Sequence, residues 1–253
     1  MNIILHTRGT GLCNQLFALT SGILDTLSAG VKNVKVSSFL CDIKTRKEMP
    51  ASQVFDFEAM RESLGIHFTD YTGRKGKCNF KWYTKYEISK FKDVLQCIKF
   101  KDVYYNTAEF TPQYVVHLRV EEDGIAHWSK MNKMTKDVFR EKLHKQYLEV
   151  IQEHVPENSE IFVLCYDRDH PLVEQLRQKY TVRMNDKSDN RENSAIVDLL
   201  TGERCTGVFI GCHNMELNRG STFSYTLWSR GKSIKKSIFI DLDCITSSPV
   251  VTI

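Results

Sequence analysis

Short apolar runs alternate along the chain with longer stretches in which apolar residues recur every three or four positions. MNIILHT and VKVSSFL have the dense apolar character of strands, and the segment from about Asn14 to Ala29 between them has helical spacing. FEAMRESLGI and ISKFKDVLQCIKF are helical in pattern, while the aromatic run KCNFKWYTKYE separating them fits neither period. YVVHLRV reads as a buried strand with charge at its end. Thr135 then stands as cap to KDVFREKLHKQYLEVIQEHV, whose apolar side chains fall at i, i+4 and i+7. EIFVLCYD, YTVRMN, GVFIGC and SIFIDLD continue as strands, interleaved with helical HPLVEQLRQKY, SAIVDLLTGERC and FSYTLWSR. Strand, helix, strand in this order predicts an α/β protein with parallel sheets and right-handed crossovers. The pattern is weakest over roughly residues 70 to 112, which divides the chain into an expected lobe 1–110 and a second lobe 111–253. Ligands of open α/β sheets bind at the carboxyl ends of strands. Three loops fall there, after MNIILHT, after YVVHLRV and after GVFIGC.

Composition narrows this picture without redirecting it. The 253 residues are 42% hydrophobic and 26% charged, ordinary for a globular chain with a core. A net charge of +4 implies no nucleic-acid partner, though it allows a local positive pocket. Eight cysteines, at 13, 41, 78, 97, 165, 205, 212 and 244, form no CxxC pair, which disfavours zinc or thioredoxin chemistry. Several lie in apolar runs, where a thiol serves as a small core residue. No apolar run approaches 18 residues and the amino terminus lacks a signal-peptide layout. The expected setting is cytoplasmic, or that of a soluble catalytic domain without its anchor.

The first loop, TRGTGLCNQ, places Gly9 and Gly11 where the backbone can bend toward a ligand and the following helix offers N–H groups to an anion or hydroxyl. Asn14 stands where a GxGxxG motif needs glycine, and the Gly-Lys-Ser/Thr of a P-loop is absent, so a nucleotide site of either type is disfavoured. The plainer reading is a tight turn capped by Asn14. In the second loop, VVHLRVEEDGIAHW, His117 and Arg119 lie two apart on a strand, which directs both to one face. The guanidinium is a permanent cationic fork suited to a diphosphate, and Glu121, Glu122 and Asp123 are carboxylates able to take a proton from a hydroxyl. A surface ion-pair cluster is the alternative for EED. In the third loop, Ser221, Thr222 and Ser224 surround Phe223 at a helix start, which suits phosphate oxygens or, more simply, helix capping. The triplets DRD (167–169) and DLD (241–243) have the form of a DxD metal motif, but Asp169 sits where a helix cap is expected. No GxSxG elbow supports a serine triad.

Taken together, GLCNQLF, VHLR, GSTFSYTLW and the preceding SAIVDLLTGERCTGVFIG resemble the fucosyltransferase superfamily, whose branches carry G-x-G/C-N-Q-x-F, H-x-R and S-x-F-S segments in this order. The resemblance runs from residue 7 to 230 and is specific only in these four patches. It implies a GT-B-like fold of two Rossmann-like lobes with a cleft between them, and a metal-independent, inverting glycosyltransferase needing no cofactor. The donor would be a GDP-sugar, GDP-fucose foremost, and the acceptor a glycan or glycoprotein. By the same resemblance Arg119 would grip the β-phosphate, His117 would contact the nucleotide and Asp198 would read the guanine. Ser221, Thr222, Phe223 and Ser224 would close around phosphates and base, while Gly11, Asn14 and Gln15 would line the cleft from the first lobe. Glu121, Glu122, Asp123 and His127 are the candidates to deprotonate the acceptor. The family pattern has a second Arg and a Gly-Asp after H-x-R where this chain reads HLRVEED, and Cys13 replaces a glycine. These departures bear on the sugar, leaving UDP-xylose or a rhamnose donor as alternatives, along with a non-catalytic glycan- or nucleotide-sugar-binding module. An NAD(P) enzyme lacks its glycine pattern here.

Overall fold

A computed structural model describes residues 3–7, 10–73, 85–108, 110–215, 217, 219–245 and 250–252. Gly9, Cys78 and most of the aromatic run 77–87 lie outside the described residues. The chain forms two compact units, one of Met1–Glu109 with Asp186–Leu200 and one of Phe110–Asn185 with Thr201–Ile253. The expected lobe 111–253 differs from this in Asp186–Leu200, which group with the first unit.

In the first unit the elements are β1 (Ile3–Leu5), α1 (Leu12–Ser28), β2 (Asn33–Ser37), β3 (Phe39–Asp42), β4 (Lys47–Met49), α2 (Phe57–Leu64), β5 (His67–Tyr71), α3 (Ile88–Cys97) and α4 (Asp102–Thr107). β1, β2 and β5 make a parallel sheet in that order, and β3 pairs antiparallel with β4. VKVSSFL is therefore two strands: Thr7 donates its N–H to Ser37 Oγ (2.9 Å) and its hydroxyl to the Ser38 carbonyl (2.7 Å), at the break between β2 and β3. Helix α1 is buried almost all round, and its hydroxyl side chains are satisfied within the helix. The hydroxyls of Thr20, Ser21 and Thr26 donate to carbonyls four residues back, at 2.8, 2.5 and 2.7 Å.

The second unit contains β6 (Tyr114–His117), α5 (Glu122–Met131), α6 (Lys136–His154), β7 (Glu160–Leu164), α7 (Pro171–Arg177) and β8 (Thr181–Arg183). The division between units falls within α8 (Arg191–Glu203), after which come β9 (Val208–Gly211), β10 (His213–Asn214), β11 (Arg219–Gly220), α9 (Thr222–Arg230), β12 (Lys236–Ile240) and β13 (Val250–Thr252). Six strands form one sheet in the order β13-β12-β9-β6-β7-β8, parallel throughout except where β13 runs against β12. From β6 the chain lays β7 and β8 on one side, then returns to place β9 and β12 on the other. That reversal between β6 and β9 is a topological switch point, the place beyond the strands' carboxyl termini where open α/β sheets bind ligands.

Alternation along β6 sorts its side chains by face. Val116 joins a core with Phe139, Leu143 and Ile151 of α6 and Leu172 of α7, leaving Val115 and His117 on the opposite face. Strand β6 ends at His117, three residues short of the sequence expectation, and what was read as a loop after it becomes α5. The acidic run explains that helix: Glu121 holds the N-cap position, and Glu122 and Asp123 fill a first turn where negative charge is favoured by the dipole.

Two glycines let the β9–α9 region close. A Cβ on Gly211 would stand 2.8 Å from Ser224 Oγ, so α9 reaches β9 only because that atom is absent. Gly220 has φ +122°, and its Cβ would meet His213 Cα at 2.7 Å across the β10–β11 hairpin. Gly220→Ala is expected to lower the unfolding free energy by about 2–3 kcal/mol in urea melts, from strain plus collision; an unchanged midpoint would show that the hairpin does not constrain α9.

Candidate functional site

At the switch point the end of β6 meets the start of α9. Ser221 caps that helix, its Oγ accepting N–H groups from Phe223 (3.2 Å) and Ser224 (3.5 Å). Ser224, wholly buried, faces back toward the end of β6: its Oγ lies 2.7 Å from His117 Nδ1 and accepts the Cys212 N–H at 3.0 Å. Phe223 lays its ring over His117, centroids 4.9 Å apart at 33°. The residues His117, Ser221, Phe223 and Ser224, predicted from separate motifs, thus form one cluster, with Thr222 in the first turn of α9. Burial, and then the nearby charge of Arg119, hold the His117 imidazole down at about 3, so it is neutral at physiological pH.

Beyond the end of β6 the Arg119 guanidinium reaches the first turn of α5, and its charge still acts on the His117 ring. There it pairs with Glu121 and bridges both oxygens of Asp123, at 2.9 and 3.3 Å. Gly124 leaves a flat seat for it, since a Cβ there would lie 3.3 Å from the guanidinium carbon. Burial works against the charge, but the two carboxylates more than offset it and hold the guanidinium above the ordinary arginine range. Tyr147, on α6, fixes the backbone between the two residues. It accepts the Arg119 N–H (3.1 Å) and donates to the His117 carbonyl (3.0 Å). Glu122 stands apart, exposed and paired with Arg140 at 2.5 Å. The three candidate carboxylates therefore differ in partners: Glu121 and Asp123 hold Arg119, and Glu122 belongs to another ion pair.

In the first unit the glycine turn is not an open anion site. Gly11 is the N-cap of α1 and offers no side chain, and Glu192 takes that place: the Leu12 N–H donates to its Oε2 at 2.5 Å. The helix terminus already holds an anion of the chain's own. Gln15 is likewise committed. It is buried, its Nε2 donating to the Leu40 carbonyl and its Oε1 accepting the Leu40 N–H, both at 2.9 Å, so it braces α1 to β3 and is not free to line a cleft. Asn14 lies one turn inside the helix, half-buried, and is not the cap. Asp198 is half-buried on α8 in the portion grouped with this unit. The aspartate triplets are turns: Asp169 donates its N–H to Asp167 and Asp243 to Asp241, at 3.1 and 2.9 Å. The cap of α7 is His170, whose Nδ1 accepts from Leu172 at 3.2 Å, not Asp169. Glu192, Tyr147 and Gly124 carried no sequence signal. Glu192 lies 180 positions from the N–H it caps, and Tyr147 sits at an ordinary core position of a helix.

No protein-family model and no curated protein matches the sequence. Among solved structures, the chain is similar to POFUT1 in complex with GDP-fucose, at 12% identity and TM-score 0.62, over 94% of this chain and 97% of that one. It is similar to POFUT1 in complex with GDP at 12% identity and TM-score 0.60, with the same shares of each chain. NodZ α1,6-fucosyltransferase, co-crystallized with GDP, matches at 12% identity and TM-score 0.59, over 100% of this chain and 97% of that one. The chain has the fold of these fucosyltransferases. That agrees with the α/β, two-unit, parallel-sheet architecture read from its pattern.

Glu192 generates a pH prediction. Burial raises its carboxyl above the ordinary 4.5, opposed by the Leu12 N–H and Arg191. The folded chain then binds this proton more tightly than the unfolded chain, so the associated stability is present below the ordinary value and is lost as pH rises through the raised one. Glu192→Gln keeps an acceptor for Leu12 and removes the ionisation. It is expected to match the parent at pH 4 and to be the more stable of the two at pH 8 in thermal or urea melts. A variant less stable at pH 8 would mean that the carboxylate's attraction to the helix terminus outweighs its desolvation.

Proposed function

We propose that the chain is a glycosyltransferase that takes a GDP-sugar, GDP-fucose foremost, and transfers the sugar with inversion and without metal to a hydroxyl of a glycan or glycoprotein. The observation that carries this reading is a mostly buried Arg119 whose charge acts on His117, the ring held by Ser224 and covered by Phe223 at the switch point of the six-stranded sheet. The fold shared with enzymes crystallised with GDP-fucose and GDP supports it.

The chemistry follows from those side chains. The acceptor oxygen attacks the anomeric carbon, the bond from that carbon to the diphosphate breaks, and GDP leaves with the bonding pair while the hydroxyl proton passes to a base. Negative charge grows on the leaving diphosphate, and a preorganised guanidinium in a poorly hydrated site lowers the barrier by a few kcal/mol, or orders of magnitude in rate. Glu121, only a fifth exposed, keeps that guanidinium in place. Asp123, three-quarters exposed, is the partner a diphosphate oxygen would replace. The phenyl face of Phe223 beside His117 offers a stacking surface for the base.

In a thermal scan GDP at a hundred times its dissociation constant is expected to stabilise the protein by about 2.7 kcal/mol, more than UDP or CDP does, and equally with a chelator present. Arg119→Ala should abolish both the shift and turnover of GDP-fucose. A shift produced only by UDP with Mn²⁺ would sink the proposal, and retained glycan binding without turnover would favour the non-catalytic module. Asp123 tests the assignment of the carboxylates. If it competes with the diphosphate, Asp123→Asn should tighten GDP binding about two- to five-fold; lost turnover at unchanged affinity would make it catalytic instead.

A further inference from the structure

His117 has two ring nitrogens, and only one is occupied by the chain: Nδ1 meets Ser224 Oγ at 2.7 Å, and Nε2 has no hydrogen-bond partner among the described residues. Which nitrogen carries the proton follows from how Ser224 can be satisfied. Its oxygen already accepts the Cys212 N–H at 3.0 Å. If His117 donated from Nδ1 as well, the Ser224 proton would be left to the Cys212 sulfur at 3.8 Å, a distant and weak acceptor inside a site with no exposed surface on Ser224. If Ser224 donates to Nδ1, every group is paired: Cys212 N–H to Oγ, Oγ–H to Nδ1. Leaving a buried donor without a good acceptor carries a desolvation penalty, which favours the paired arrangement by roughly ten-fold or more.

We infer that Ser224 is a positioning residue that locks His117 in the tautomer with its proton on Nε2, making that nitrogen an obligate hydrogen-bond donor to the bound nucleotide. The inference deepens the proposed function and rests on reading this switch point as the nucleotide site. Ser224 therefore acts through His117 and need not touch phosphate, the role its motif suggested. Gly211 makes the lock possible by leaving room for the Ser224 hydroxyl beside β9. Neutrality of the ring, imposed by burial and by Arg119, keeps the second proton off Nδ1 across the physiological range. A ligand atom facing Nε2 must then be an acceptor, a carbonyl or ring nitrogen of a base or a phosphate oxygen. An exocyclic amino group placed there would leave two donors opposed.

Nitrogen-detected NMR of the histidine-labelled full chain, with the His117 ring assigned by through-bond correlation to its backbone, reads the tautomer directly and without ligand. The expected spectrum has Nε2 in the protonated range and Nδ1 in the unprotonated range, both unchanged from pH 5 to 8. A protonated Nδ1, or averaged shifts for the two nitrogens, would overturn the inference. In Ser224→Ala the ring should exchange between tautomers, and GDP should bind about five- to ten-fold more weakly while the far-ultraviolet spectrum is kept. A Ser224→Ala ring that stays wholly Nε2-protonated would also overturn it. If the wild-type ring shows the expected tautomer but GDP gives no thermal shift, the tautomer lock stands and the nucleotide reading fails, so the two are separable.

Discussion

The hydroxyl of Ser224 joins pieces of chain that lie far apart in sequence: its partner His117 is 107 positions away, at the end of β6, and the Cys212 amide follows β9. Together with the Ser221 N–H donated to the Cys212 carbonyl, it ties the start of α9 to the ends of the paired strands β6 and β9. The hydrogen bond is short and fully buried, and the two glycines at 211 and 220 exist in their present form to allow it. Phe223 takes its place over His117 because Ser221 caps α9 one turn earlier and sets the direction of the helix. The candidate site is thus a consequence of how α9 is anchored.

Charge is managed in the same economical way in each unit. In the second unit the guanidinium of Arg119 is kept charged and still by Glu121 and Asp123, one sheltered and one exposed. A cation held this way is oriented before any ligand arrives, and it exchanges an exposed carboxylate for a diphosphate at low cost, since exposed pairs are weak. In the first unit the helix terminus beside the glycine turn is filled by Glu192, a buried carboxylate. Two features that both looked like anion sites therefore differ in kind: one is a cation with a replaceable partner, the other a terminus already closed by the chain.

The departures from expectation share a cause. Strand β6 stops at His117, so the position of Arg119 is set by its carboxylate partners on α5 and not by strand alternation alone. Glu121, Glu122 and Asp123 are alternative candidates to take the acceptor's proton, and because residues one apart on a helix turn point roughly a hundred degrees apart, they reach different partners, Arg119 for two and Arg140 for Glu122. The expectation that Gln15 lines a cleft comes from the family resemblance and not from its surroundings in this chain. Its commitment to the backbone of Leu40 depends on β3 passing alongside, which no local pattern announces.

By itself the sequence determined the alternation of strands and helices, the cap at Thr135, the parallel character of the sheets and the three loops at strand ends. These are set by periodicity and by interactions within a few residues, which a linear reading can see. Tertiary structure alone decided that His117 meets Ser224, that Arg119 rests on Gly124, that Glu192 closes α1 and that residues 186–200 group with the first unit. Each of these depends on strand order or on where the chain doubles back. Side chains brought together by such long-range pairing leave no periodic trace in the intervening residues.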